Sequence, residues 1–110
     1  MWKAMPGNGQ KQGMKHNIPD RVMKDIRFLA GKHNIQKIIL FGSRARGTHS
    51  ERSDIDLAVT GGDVSEFYWD IHEKVWSLLS FDIVELDKGT TAELQEEIDR
   101  DGIVIYEKNR

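Results

Sequence analysis

Apolar residues recur along this chain at two spacings, and the switch between them divides it into elements. Val22, Ile26, Leu29 and Ala30 stand at i, i+4, i+7 and i+8. That is one stripe of an amphipathic helix, opened by Ile18-Pro19-Asp20 with Pro19 near its first turn and running to about His33. Lys37 to Phe41 is a short, nearly continuous apolar run, which fits a buried strand. Gly42 ends it, Gly47 closes a short arginine-bearing segment, and a polar loop, Thr48 to Ser53, leads to a second strand from Asp54 to Thr60. Gly61-Gly62 breaks the chain before a helix from about Ser65 to Leu79. Phe67, Ile71, Val75 and Leu78 line one face of that helix, and Tyr68, His72, Trp76 and Leu79 form a second, adjacent stripe.

A third strand is expected over Phe81 to Leu86. Thr90 or Thr91 can cap a last helix through about Asp101, Gly102 stops it, and Ile103 to Tyr106 supplies a fourth strand. The order is α-β-β-α-β-α-β without internal repeat. It predicts an α/β (α+β) domain in which a mixed sheet of about four strands is backed by helices. Residues 1–17 read as a flexible N-terminal segment, glycine-rich in its first thirteen residues, with Met14 as an alternative start, and residues 18–110 as a single domain.

Composition narrows the classes of function. At 110 residues the chain has room for a working core without staples. No apolar stretch approaches the roughly 20 residues needed to cross a bilayer, and the N-terminus has no apolar signal region. With zero cysteines there are no disulfides or thiolate metal sites, and the expected address is cytoplasmic. A formal net charge of −2 gives no global basic field, so general nucleic-acid binding is not expected and any polyanion must be held locally.

Three features carry candidate chemistry. Gly42-Ser43 stands where a strand gives way to a turn or helix start, where a backbone without a Cβ can approach a ligand and a hydroxyl can donate to a phosphate oxygen. Asp54-Ile55-Asp56 lies in an apolar strand, so alternation puts both carboxylates on one face and Ile55, Leu57 and Val59 on the other. Close like charges repel unless a cation sits between them, and oxygen-only ligands select a hard ion such as Mg2+. The bland reading is that Asp54 starts the strand and Asp56 faces solvent. Asp82 is one more carboxylate at the start of an apolar strand, able to meet the pair if the strands are neighbours. Glu85 and Asp87 compete for that place from the opposite face. The four histidines, His16, His33, His49 and His72, are too scattered for a zinc site.

Gly42-Ser43, ten intervening residues, Asp54-x-Asp56 and Asp82 together resemble the nucleotidyltransferase superfamily that includes DNA polymerase beta and kanamycin nucleotidyltransferase. The closer resemblance is to the minimal nucleotidyltransferases. It is carried by Phe41-Gly42-Ser43-Arg44-Ala45-Arg46-Gly47 and Ser53-Asp54-Ile55-Asp56-Leu57-Ala58, and it covers about Lys37 to Tyr106. The resemblance implies that Asp54, Asp56 and Asp82 are catalytic and hold two Mg2+ ions. It further implies that Gly42 and Ser43 bind the triphosphate of ATP or another nucleoside triphosphate, with Arg44 and, less securely, Arg46 neutralising it. Members of this family are commonly paired with a small helical HEPN protein as antitoxin and toxin. The resemblance therefore implies AMP transfer to a tyrosine of such a partner. Two further readings stay open: an antitoxin that acts by binding alone, and an antibiotic-type transferase of small molecules, which the lack of an acceptor domain disfavours. The second aromatic stripe, Tyr68 to Trp76, is equally consistent with a partner interface and with a helix buried on two sides.

Overall fold

The computed structural model describes residues 18–49, 53–75 and 79–108. The expected flexible lead-in and the positions of Trp76 and Leu78 lie outside the described residues. The chain forms helix α1 (Asp20–Lys32), strand β1 (Lys37–Phe41), short helix α2 (Ser43–Arg46), strand β2 (Ile55–Thr60), helix α3 (Val64–Lys74), strand β3 (Phe81–Glu85), a single 3-10 turn (Leu86–Lys88), helix α4 (Ala92–Asp101) and strand β4 (Ile103–Glu107). The expected order holds, with α2 and the 3-10 turn as additions. No helix among the described residues is long and apolar enough to cross a membrane.

The four strands form one sheet in the order β3-β2-β1-β4. β1 pairs antiparallel with β2 and β4, and β2 pairs parallel with β3 through the α3 crossover. Strand alternation then builds two cores. Ile38, Leu40, Ile55, Leu57 and Val59 face α1 and α3 and join Val22, Ile26, Leu29, Phe67 and Ile71 in the larger one. Phe41 and Ala58 face the other way and meet Ile98 of α4, with Ile39, Val84, Leu86 and Leu94 packed around them. Helices therefore cover both faces of the sheet, and α4 covers the face to which Asp56 belongs.

Local chemistry sets the boundaries. Thr91 caps α4 by accepting from the Leu94 amide at 3.1 Å, and Asp63 caps α3 by accepting from the Glu66 amide at 3.2 Å. α3 ends at Lys74, short of the expected Leu79, and Val75 turns extended while its side chain stays buried. Length explains the early stop. The helix must retrace β2, whose six residues span about 20 Å. Eleven helical residues already cover about 16 Å, and sixteen would overshoot at about 24 Å. α1 and α3 are joined by Asp70, whose Oδ2 lies 2.7 Å from His33 Nε2 and 3.3 Å from Lys32 Nζ. The His33 contact first, and Lys32 after it, hold the Asp70 carboxyl down at about 2.

The turn between β2 and α3 is locked from two sides. Asp87 accepts from the Thr60 hydroxyl at 2.6 Å and from the Gly61 amide at 2.7 Å. Gly62, at φ +75°, lies against the carbonyl of Asn34, which is itself left-handed at φ 59°. We expect Gly62→Ala to destabilise the fold by more than ~1 kcal/mol, because a Cβ there meets backbone that has nowhere to go and strains the dihedral as well. Urea unfolding at constant slope measures this, and an unchanged midpoint would mean that the turn is looser than described.

Candidate active site

The site grows out of the register of three strands. Phe41 stands opposite Asp56 across β1 and β2, and Asp56 stands opposite Asp82 across β2 and β3. Residues paired in this way project from the same side of a sheet. Asp56 and Asp82 are thus lateral neighbours on the α4 face, at the end of the sheet where β1 finishes and β2 and β3 begin. Asp54 falls just ahead of β2, which starts at Ile55, one residue later than expected, and it remains exposed. The register also separates the competing acids. Glu85 lies on the opposite face, paired with Val59, and Asp87 is committed to Thr60 and Gly61 at the far end of β2.

Gly42 follows Phe41 directly and is buried at φ +77°. It packs so closely on Asp56 that any Cβ would overlap the carboxylate oxygen Oδ2. A side chain is excluded here by conformation and by space together. From Gly42 the chain winds into α2. The Gly42 carbonyl accepts from the Ala45 and Arg46 amides, both at 3.1 Å, and Gly47 closes the turn in the left-handed conformation. Ser43, the first residue of α2, is half-buried beside this turn.

The two arginines of α2 go different ways. Arg44 is 4% exposed, and its Nε donates to the Ser53 carbonyl at 3.0 Å. Burial pushes its pKa down. It ties α2 to the residue immediately before Asp54 and so holds the entry to β2. Arg46 points across to α4, where its Nη1 lies 3.1 Å from Glu97 and 3.6 Å from Asp101. Sequence reasoning missed Glu97 and Asp101 as part of this site. Their spacing of four on a helix marks one face, but nothing in the sequence says that α4 folds over the carboxylates. His49, in the loop after α2, has a buried Nδ1 without a hydrogen-bond partner among the described residues.

Asp56 is electrostatically frustrated. Its pKa is raised to about 6, first by burial, then by the charges of Asp82, Asp54 and Glu97, with Arg46 opposing. Among the described residues no three acidic or histidine side chains converge as a ready metal-ligand set. Carboxylates this close repel one another, and a cation between them relieves the repulsion. The donor chemistry fits a hard divalent ion: Asp54, Asp56 and Asp82 all offer carboxylate oxygen, and the missing Cβ of Gly42 leaves the space that the Asp56 carboxylate occupies.

With this geometry in place, the comparisons with known proteins are informative. The family model for polymerase beta, nucleotidyltransferase matches residues 24–110. The chain belongs to that family. A curated relative from Methanocaldococcus jannaschii, which carries the name of a protein adenylyltransferase, is 44% identical over 50 residues, 46% of this chain. The chain spans about half of that relative's length, 48%. Among solved structures, a toxin-antitoxin with AMP-PNP superposes with a TM-score of 0.61 at 27% identity, covering 79% of this chain and 74% of that one. A mutant of the toxin-antitoxin MntA-HpeT gives a TM-score of 0.61 at 25% identity over the same shares of the two chains.

Two outcomes follow from the site's electrostatics and packing. With divalent ions removed, Asp56→Asn should melt higher than the parent at pH 8, since an ionised Asp56 is the disfavoured form. The sign is fixed by the raised pKa: stability from the protonated acid is full below 3.8 and lost as pH rises through about 6. The advantage of asparagine should therefore disappear below pH 3.8, and a lower melting point for Asp56→Asn at pH 8 would refute the frustration. Arg44→Ala should cost about 1.5–3 kcal/mol in denaturant unfolding, the range for a hydrogen bond from a charged group, and Arg44→Lys should not restore it.

Proposed function

We propose that this chain is a metal-dependent minimal nucleotidyltransferase that transfers AMP from ATP to a hydroxyl of a protein partner, a tyrosine of a HEPN-domain toxin. The observation that carries this reading is the meeting of Asp56 and Asp82 on one sheet face, with Asp54 beside them and the Gly42-Ser43 turn packed directly on Asp56. The family, the toxin-antitoxin structure with AMP-PNP and the name of the Methanocaldococcus jannaschii relative support the direction of the chemistry.

Each residue has work that its position permits. Asp54, Asp56 and Asp82 would hold Mg2+, two ions in the reading the resemblance suggests. A pair of Mg2+ ions, when bound, supplies a lowered pKa at the attacking hydroxyl and charge neutralisation at the departing pyrophosphate. Gly42 lets the triphosphate approach the backbone, and the Ser43 hydroxyl offers a donor to a phosphate oxygen. Arg46 contributes a cation over the same face, while Arg44 steadies the strand entry that carries Asp54. The acceptor hydroxyl gives up its proton to solvent, its oxygen bonds to the α-phosphorus, the bond from that phosphorus to the bridging oxygen breaks, and pyrophosphate leaves. Such an in-line displacement asks the protein for positioning and electrostatics more than for covalent chemistry.

A partner can reach these residues along the edge of the sheet. β3, which carries Asp82, is an edge strand, so an acceptor can be delivered from that side. Tyr68 and Trp69 of α3 are 39% and 59% exposed beside the same strand, which suits a surface that another protein covers.

The decisive experiment incubates the chain with labelled ATP, Mg2+ and the product of the neighbouring gene, followed by mass analysis of every species. We expect the partner to gain one or more AMP units, only with a divalent ion, and not with Asp54→Asn or Asp56→Asn. Inhibition of an unmodified partner by both variants would mean an antitoxin that works by binding alone. Labelling of a small-molecule alcohol by the chain without its partner would indicate an antibiotic-type transferase.

A further inference from the structure

Helix α4 contributes more than cover. Ile98 anchors it in the smaller core, and that anchoring turns Glu97 and Asp101, four apart on one helical face, toward α2. Both carboxylates close on the same Arg46 Nη1, at 3.1 and 3.6 Å. Asp101 is also held by Arg100, whose Nη2 and Nε donate to it at 3.0 and 3.1 Å. Arg46 is thus a long side chain on a four-residue helix, 39% exposed, whose guanidinium is fixed from across the cleft. A guanidinium offers five donors, and both recorded ion pairs end on one nitrogen.

We infer that Glu97 is a positioning residue for the nucleotide. By holding Arg46 over the carboxylate face in advance, it removes an ordering cost that triphosphate binding would otherwise bear. This inference rests on the functional reading above and adds to it a role for α4. A carboxylate near a triphosphate site also repels the ligand, so the two effects compete. Arg46 Nη1 stands 3.1 Å from Glu97, so the two charges offset each other in part, and the fixed direction of the guanidinium is the contribution that reaches a ligand. Without Arg46 only the repulsion is left. The sign of the Glu97 effect therefore depends on whether Arg46 is present.

That dependence is the test. ATP is titrated calorimetrically with Mg2+ into the full chain, into Glu97→Gln, into Arg46→Ala and into the double variant, with adenosine as a phosphate-free control. Glu97→Gln should weaken ATP on the order of threefold to fivefold, the scale that the coupling of a partly exposed ion pair allows. In the Arg46→Ala background the same change should leave ATP affinity unaltered or slightly tighter. Adenosine affinity should be equal in all four proteins, which a general loosening of the fold would not give. Equal or tighter ATP binding by the single Glu97→Gln variant overturns the inference, as does the same weakening in both backgrounds. A parent chain that binds no ATP with Mg2+ overturns the functional reading first, whereas a parent that binds normally beside an unaffected Glu97→Gln overturns this inference alone.

Discussion

The repulsion among acidic groups at one end of the sheet is the constraint around which the structure is organised. Asp56 is half-buried next to Asp82, with Asp54 and Glu97 adding charge of the same sign. A fold selected for stability alone would place an apolar or uncharged residue at that register position, as it does two residues on at Ala58. The chain instead keeps the acid and surrounds it with compensations. The larger core lies wholly on the other face, so the unfavourable charges do not perturb it. Arg46 gives partial neutralisation, and burial with three like charges still leaves the Asp56 carboxyl raised to about 6.

Holding such a face in place requires anchors that do not touch it. Arg44 ties α2 to Ser53 at the entry of β2. Asp87 locks the exit of the same strand through Thr60 and Gly61. The α3 crossover brings β3 alongside in parallel register, and this is what sets Asp82 beside Asp56. A slip of one residue in that ladder would exchange Asp82 for Phe81 or Ile83 on the site face. The packing of Phe81 and Ile83 against the larger core opposes the slip, because either would then lose its apolar surroundings. Core packing on one side of the sheet thus guards the geometry of the acids on the other.

Much of this was legible in the sequence because it depends on local periodicity. The four strands and the three long helices follow from spacing, and Thr91 as a cap follows from its side chain. What was not legible depends on distant parts of the chain. The extent of α3 is set by the length of the strand it retraces, so an apolar stripe continuing toward Leu79 misleads. Alternation separates Asp82 from Glu85 and Asp87, but which set lies beside Asp56 is decided only by register and by the claim of Thr60 on Asp87. Glu97 and Asp101 read as an ordinary solvated helix face, because their meeting with Arg46 is a fact about how α4 crosses the sheet.

The two arginines of α2 show how one short motif divides its labour. They are two residues apart on a single helical turn, so their side chains leave the helix in widely different directions. One must enter the protein if the other faces the cleft. A buried guanidinium has to be hydrogen-bonded, and the Ser53 carbonyl at 3.0 Å answers that need where β2 begins. The exposed one has no such obligation and takes carboxylates from α4 instead. In the sequence both are permanent cations next to Gly42-Ser43, and the resemblance implies a phosphate contact for Arg44 ahead of Arg46. Burial separates them: the cation inside the protein is tied to the entry of the strand that carries the acids, and the cation at the surface is paired with α4.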